Sequence, residues 1–323
     1  MNAPIKVLIT GASGYIGTAL MRSLGSDPRF NCFGTLRQHT ASQSTEKFFL
    51  TGDLDAGTDW SGILSDVDIV IHAAGRAHVI NDRAADRALA FRRVNVDATQ
   101  TLALQAAKAG VKRFIFISSI GVNGSSTQQS AFSELQEPAP ESDYARSKLE
   151  AELQLMTLFS DTNTQWTIIR PPMVYSANAP GNFRRLLKLA AAGFPLPLKS
   201  VDNRRSIIAL ENLIDFIQLC CVHPGADNEI FLIADESPVS TASMVSLLRQ
   251  GMNKPERLLP IPVGLLYLGS RLVSKPLLFN QLCQSLVIDI SRAQGRLGWR
   301  PVISCEDALK KAGQIYLQNI STA

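Results

Sequence analysis

Histidine and cysteine are scarce in this chain, with four and five copies among 323 residues. The cysteines (Cys32, Cys220, Cys221, Cys283 and Cys305) are odd in number and show no metal-ligand spacing. No metal site and no disulfide framework is expected, and the thiols read as reduced in a cytoplasmic protein. The adjacent pair Cys220 and Cys221 falls in an apolar helical stretch, where packing explains it better than redox chemistry. Long apolar runs are missing. The stretch from Val263 to Leu268 is too short to span a bilayer and is soon interrupted by Arg271, so no membrane insertion is expected. The first strand-like run starts within a few residues of Met1, which leaves no room for a signal peptide. Runs of like charge are also missing: the net charge is +4, with lysine and arginine scattered. That excludes nucleic acid as the main partner and suits a small anionic substrate. There are no internal repeats, and the Ser- and Gln-rich stretch from Ser125 to Ser133 reads as a mobile surface loop.

What is present is an alternation of strand-like and helical patterns. Short apolar runs at Lys6 to Thr10, Cys32 to Leu36, Ile69 to His72, Arg113 to Ser118 and Thr167 to Arg170 fit strands covered on both faces. Helical patterns lie between them, at Thr18 to Leu24, Asn95 to Ala109 and Tyr144 to Phe159. The fold class is therefore α/β with a doubly wound parallel sheet. After Arg170 prolines become frequent, and helices are expected around Asn182 to Ala192, Glu211 to Cys221 and Thr241 to Gln250. This places a first domain over 1–175 and a smaller mixed α/β domain over 176–323, some of whose segments return to the first.

The first strand ends in Thr10-Gly11-Ala12-Ser13-Gly14-Tyr15-Ile16-Gly17. Glycines at this spacing allow a tight turn, a close backbone approach to a pyrophosphate and tight packing of helix on strand, the signature of a Rossmann-type dinucleotide site. The following helix aims its N-terminal amides at the phosphates. An acidic residue normally ends the second strand and holds the adenine ribose. Here Leu36 occupies that place and Arg37 follows, a combination that favours a 2′-phosphate and hence NADP(H) over NAD(H). Asp53, in Gly52-Asp53-Leu54, can meet the adenine amino group. His72-Ala73-Ala74-Gly75 supplies small residues where a later strand approaches the cofactor, and His72 itself reads as a packed core residue.

Tyr144-Ala145-Arg146-Ser147-Lys148 opens a helix. Positions i and i+4 share a helix face, so the phenol and the ammonium can point into one site. The cation is expected to lower the tyrosine pKa towards working pH, which makes it a usable acid and base. The strand through Phe116 and Ile117 ends in Ser118-Ser119, at the sheet edge where ligands bind in such folds.

Together these motifs resemble the extended short-chain dehydrogenase/reductases of the nucleotide-sugar epimerase/dehydratase family. The likeness also takes in Asn95 of Val94-Asn95-Val96 and Arg170-Pro171-Pro172-Met173-Val174-Tyr175. It implies that Ser119, Tyr144 and Lys148 are catalytic. It further implies that Gly11, Ser13, Gly14, Tyr15, Ile16, Gly17, Arg37, Asp53, Leu54, Ala73, Ala74, Asn95, Ser118 and Pro171 hold the cofactor along with Tyr144 and Lys148. Ser119 precedes Val122-Asn123-Gly124 by three residues, and Asn123 departs from the tyrosine usual in that turn. For a UDP-linked sugar the resemblance points to Asn182 in Pro180-Gly181-Asn182-Phe183, Arg205 in Asn203-Arg204-Arg205-Ser206, and Asp289 before Ser291-Arg292-Ala293. Homodimers packed through two helices per subunit are common in the family.

The resemblance also directs the chemistry to C4 of the sugar. Dehydratases place Asp-Glu after the catalytic hydroxyl; here Ile120-Gly121 follows Ser119, which argues against dehydration. Arg37 tips the expectation towards a reductase of a UDP-4-keto-6-deoxy-N-acetylhexosamine, in surface-polysaccharide synthesis. The alternative is a UDP-glucose or UDP-N-acetylglucosamine 4-epimerase with tightly bound NAD. A non-catalytic dinucleotide sensor is a third reading, opposed by the retention of Ser119, Tyr144 and Lys148.

Overall fold

A computed structural model describes residues 3–38, 47–77, 86–272 and 276–321. In chain order the first half gives β1 (Ile5–Thr10), α1 (Tyr15–Gly25), β2 (Phe30–Leu36), β3 (Phe48–Leu50), α2 (Ser61–Leu64) and β4 (Ile69–His72). It continues through α3 (Arg87–Arg92), α4 (Ala98–Lys108), β5 (Arg113–Ile117), α5 (Asp143–Phe159), β6 (Gln165–Arg170) and β7 (Met173–Tyr175). The second half holds α6 (Gly181–Ala192), β8 (Ile207–Ala209), α7 (Leu210–Val222), β9 (Glu229–Leu232) and α8 (Thr241–Gly251). The chain then ends in α9 (Val263–Leu272), α10 (Pro276–Cys283), α11 (Ser291–Leu297) and α12 (Cys305–Ser321).

Seven strands form one parallel sheet in the order β3-β2-β1-β4-β5-β6-β9. The central strands carry unbroken buried runs, such as Val7 to Thr10 and Phe114 to Ile117, because helices cover both faces. On one face α1, α7 and α11 pack against Ile9, Ile71, Ile115 and Phe231; on the other α4 and α5 pack against Leu8, Val70, Phe114 and Phe116. The chain builds outwards in one direction from β1 to β3, then restarts at β4 on the other side of β1. This reversal leaves a crevice beyond the ends of β1 and β4, the place where doubly wound sheets bind ligands.

All five expected strands form, each within two residues of its expected start. β9 is the late addition: it comes from the second half of the chain yet pairs with β6 to complete the sheet. A second group of apolar side chains from α6, α8 and α12 packs beside the two-stranded β7-β8 sheet. The Ser- and Gln-rich loop is pinned rather than free. Phe132 is buried, its backbone pairs with Val287, and Thr127 bonds Ser285. Among the described residues no helix is long and apolar enough to cross a membrane and no cluster of metal ligands occurs; the five cysteines are free, and Cys220 and Cys221 are packed in the core.

Candidate active site

The glycine turn owes its shape to steric exclusion. Gly11 sits at φ +68°, and a Cβ there would lie 2.8 Å from the Ala74 backbone, just beyond β4. A Cβ on Gly17 would overlap the Gly11 carbonyl. Any side chain at either place would force the helix, the turn and the neighbouring strand apart. α1 starts directly after Gly14, and no side chain caps it, so the first-turn amides and the positive end of the helix dipole are left for a ligand. Ser13 is exposed at the turn. Tyr15 packs against the second apolar group and donates to Ser176 at 2.8 Å; burial holds its phenol well above the usual range. Next to the turn His72 is buried between Thr10 (2.7 Å) and Thr99 (2.8 Å). Burial and the charge of Lys148 push it down to about 3, so it is a neutral core residue.

The second cluster forms where β5 ends over the start of α5. Ser142 caps α5 by accepting from the Ala145 amide at 3.2 Å, which fixes where the helix begins and therefore which face Tyr144 and Lys148 share. Lys148 is buried, donates to the Ile117 carbonyl at 2.9 Å and lies 4.4 Å over the Phe116 ring. Burial lowers its pKa to about 8, with the charge of Glu152 acting the other way. Tyr144 hydrogen-bonds with Ser119, but burial dominates and pushes its phenol up to about 12. The expected lowering of Tyr144 by Lys148 is therefore not what governs this pocket: desolvation of the phenolate is larger. Ser119 also accepts from the Gly121 amide at 3.1 Å, which fixes its rotamer.

The two clusters meet through Gly75, where a Cβ would lie 3.2 Å from Asn95 Oδ1 and 3.4 Å from Lys148 Nζ. Asn95 sits in a turn of π-helix, Arg93–Asp97, between α3 and α4, a local widening that functional sites often use. Its amide group accepts from Arg76 N (2.7 Å) and donates to Arg76 O and to Ser147 (2.9 Å), bracing the loop after β4 against α5.

Beneath the cluster lies a buried polar network that spacing alone did not single out. Glu152 continues the Tyr144 and Lys148 face one turn further, at i+8. It receives the Ser118 hydroxyl and both Nε (3.0 Å) and Nη2 (2.5 Å) of Arg170. Arg170 also donates to Asn123 Oδ1 at 3.0 Å, and Asn123 donates to the Ser133 carbonyl. Asn123, where the family usually has tyrosine, is thus buried and committed at both ends of its amide. The 3.6-residue period could have revealed Glu152, since three functional-type residues stand four apart on one face.

The turn fits a dinucleotide: Gly11 and Gly17 stand where any Cβ would collide, and an uncapped helix N-terminus faces the phosphate position. The residues that would hold the group are those of the turn, with Ala73 and Ala74 beyond β4, Asn95, and Ser118 and Pro171 at the ends of β5 and β6. The Ser118 amide donates to the Ile169 carbonyl, and the Pro171 carbonyl accepts from the Ile120 amide. At the adenosine end, Leu36 closes β2 and Arg37 is exposed, its guanidinium 3.7 Å from the equally exposed Asp53. Leu54 packs on the sheet.

Asn182 and Arg205 come together in a second cleft, lined also by Met173, Arg185 and Leu282. Asn182 stands at the exposed start of α6, 3.5 Å from Arg185 Nη1. Arg205 is half-buried and donates to the Gln284 carbonyl at 3.0 Å; burial lowers its pKa. Asp289 does not line this cleft. It accepts from the Ser291 amide at 2.9 Å at the start of α11.

Residues 7–234 match the NAD dependent epimerase/dehydratase family. The chain belongs to that family. A curated relative, the UDP-glucose 4-epimerase of Vibrio cholerae, is 39% identical over 317 residues, 98% of this chain and 96% of its own. The N-acetyl-alpha-D-glucosaminyl-diphospho-ditrans,octacis-undecaprenol 4-epimerase of Escherichia coli O157:H7 is 28% identical over 81% of this chain and 77% of its own. Among solved structures, a UDP-glucuronic acid 4-epimerase from Bacillus cereus in complex with NAD superposes with a TM-score of 0.73 at 22% identity, over 98% of this chain and 99% of that one. At that identity the likeness speaks for the fold. As a member of the NAD-dependent epimerase/dehydratase family the chain is an enzyme of the extended short-chain dehydrogenase type, and the resemblance read from its motifs holds over nearly its whole length.

Proposed function

We propose that this enzyme is a 4-epimerase of a diphosphate-linked hexose, with a UDP-sugar as its substrate and NAD(H) as its cofactor. The observation that carries the reading is the grouping of Ser119, Tyr144 and Lys148 at the end of β5, one glycine away from the dinucleotide turn. The reaction follows from what that group can do. Tyr144 takes a proton from, and returns it to, the oxygen on sugar C4, with Ser119 holding that oxygen and the phenol in line. Lys148, kept in place by the Ile117 carbonyl, supplies positive charge beside the phenolate. A bound nicotinamide supplies the hydride acceptor and donor. Arg205 and Asn182 suit the diphosphate and the sugar, since a guanidinium matches phosphate oxygens, and Asp289 is the candidate for the nucleotide ribose. Ile120 and Gly121, which follow Ser119, bring no carboxylate for removal of water.

Both curated relatives named above are 4-epimerases of hexosyl diphosphates that differ in the carrier, and the relative with the higher identity uses UDP. This supports epimerisation over the reductase reading that Arg37 first favoured. The reductase, acting on a UDP-4-keto-6-deoxy-N-acetylhexosamine with NADP(H), remains the second reading, because Leu36 leaves no carboxylate to repel a 2′-phosphate. Against it, Asp53 stands 3.7 Å from Arg37 and offsets the charge such a phosphate would meet.

The test is to incubate the purified protein with UDP-glucose and with UDP-N-acetylglucosamine and follow the C4 epimer by nuclear magnetic resonance. Acid release of stoichiometric NAD together with epimer formation supports the proposal. Tighter binding of NADPH than NADH, with reduction of a 4-keto sugar and no epimer, overturns it.

A further inference from the structure

The stretch from Val263 to Leu268, too short to span a membrane, takes no part in the chemistry above. In the folded protein it forms most of α9, and the helix turns its apolar residues outwards: Leu265 is 59% exposed, Leu268 56% and Tyr267 46%. Leu266 alone among its described leucines packs on the core. The apolar surface does not stop at the helix. Leu196 and Leu258 bridge two adjoining segments, and Phe194 (71% exposed) and Leu259 (45%) stand on either side of that bridge. Single exposed leucines need no explanation, whereas a contiguous group of large ones marks a contact surface.

Charge identifies the partner. Residues 182–205, 252–272 and 276–283, which build this end of the molecule, contain nine lysines and arginines against Asp202 and Glu256, a net of +7. With the whole chain at +4, the remaining residues total −3. Lys188, Lys199, Arg257 and Arg271 are exposed around the apolar group, and Arg271 lies 6.0 Å over the Tyr267 ring. Exposed leucine and aromatic side chains ringed by lysine and arginine are what an anionic bilayer takes up, apolar groups into the acyl boundary and cations among the headgroups. A two-fold contact between copies would instead set basic surface against basic surface.

We propose that α9 and the Phe194–Leu259 ridge beside it dock this enzyme peripherally on an anionic lipid membrane. α10, which packs on α9 through Phe279 and Tyr267, carries Leu282 into the wall of the Arg205 and Asn182 cleft, so docking holds that cleft close to the headgroups. The docking does not depend on which sugar the enzyme uses.

The experiment is sedimentation of the purified full-length protein with vesicles of phosphatidylcholine alone and of phosphatidylcholine mixed with phosphatidylglycerol, in low and high salt. The expected result is binding to the anionic vesicles that weakens with salt and is small on neutral ones. Lys188→Gln and Lys199→Gln should each lower the partition about fivefold, the equivalent of about 1 kcal/mol per surface cation. Leu265→Asp with Leu268→Asp should abolish binding while the turnover of a soluble sugar nucleotide is unchanged, which reports an intact fold. No sedimentation with anionic vesicles, or equal sedimentation with neutral ones, overturns the proposal. So does light scattering that shows a dimer split by the same two aspartates, since a second copy then covers the face.

Discussion

Glu152 and Arg170 form a buried ion pair directly under the Tyr144 and Lys148 cluster, with Arg170 Nε 3.0 Å and Nη2 2.5 Å from the carboxylate and neither side chain open to solvent. The pair ties the middle of α5 to the end of β6. Through Ser118 and Asn123 it also ties both to the loop that carries Ser119. Removing one partner strands the other charge in a low-dielectric interior, so Glu152→Gln should cost about 3–5 kcal/mol of stability. It should also lower the Lys148 pKa further, because the Glu152 charge acts to raise it. Urea unfolding checks the first effect. Restoration of stability in Glu152→Gln combined with Arg170→Met would show that the loss came from the stranded guanidinium.

Tyr144→Phe keeps the ring that packs beside Phe91 at 6.0 Å and deletes only the hydroxyl. Turnover should fall by about 10²–10⁴-fold, the range for losing a positioned acid/base, with dinucleotide binding retained. Single-turnover kinetics beside a dinucleotide titration separates the two quantities.

Ser119→Ala tests the electrostatics of the same phenol. The hydrogen bond with Ser119 acts to lower the Tyr144 pKa against burial. Its removal should therefore move the acidic limb of the kcat/KM profile to higher pH as well as lower the plateau. A plateau change with an unmoved limb would assign Ser119 to substrate positioning alone.

His72 gives a pH dependence of stability. Its folded pKa of about 3 lies below the ordinary 6.5, so between those values the unfolded chain binds the extra proton and stability rises with pH. Acidification from about 6.5 towards 3 should therefore destabilise the protein, with this one group contributing up to about 1.4 kcal/mol per pH unit. In His72→Gln the slope of unfolding free energy against pH should drop by about one proton over the same window, measured by urea unfolding at stepped pH.

Gly17→Ala should destabilise by about 3 kcal/mol, the upper end for overpacking, and weaken dinucleotide binding, since its Cβ would overlap the Gly11 carbonyl. Gly25→Ala, with nothing within 4 Å of the added carbon, is the control and should be neutral or slightly stabilising. Thermal unfolding and dinucleotide titration of both variants make the comparison.

The sequence by itself determined the parts of this protein that are local. The glycine spacing from Gly11 to Gly17 and the i, i+4 pair of Tyr144 and Lys148 were legible because each depends on a few consecutive residues and a known backbone period. The five central strands were legible for the same reason, as unbroken apolar runs that only a covered parallel sheet accommodates. Tertiary structure decided what depends on residues far apart in the chain. It set the balance at Tyr144, where burial outweighs the nearby cation. It gave Lys148 the Ile117 carbonyl as anchor, 31 residues away, and Arg37 the Asp53 carboxylate as neighbour. It brought β9 from the second half of the chain into the first sheet, gathered Asn182 and Arg205 into one cleft and left Asp289 outside it. It also turned the leucines of α9 towards solvent. Spacing fixes which side chains share a face; burial, charge and partners are set by whatever element packs against that face, and those contacts exist only in the folded chain.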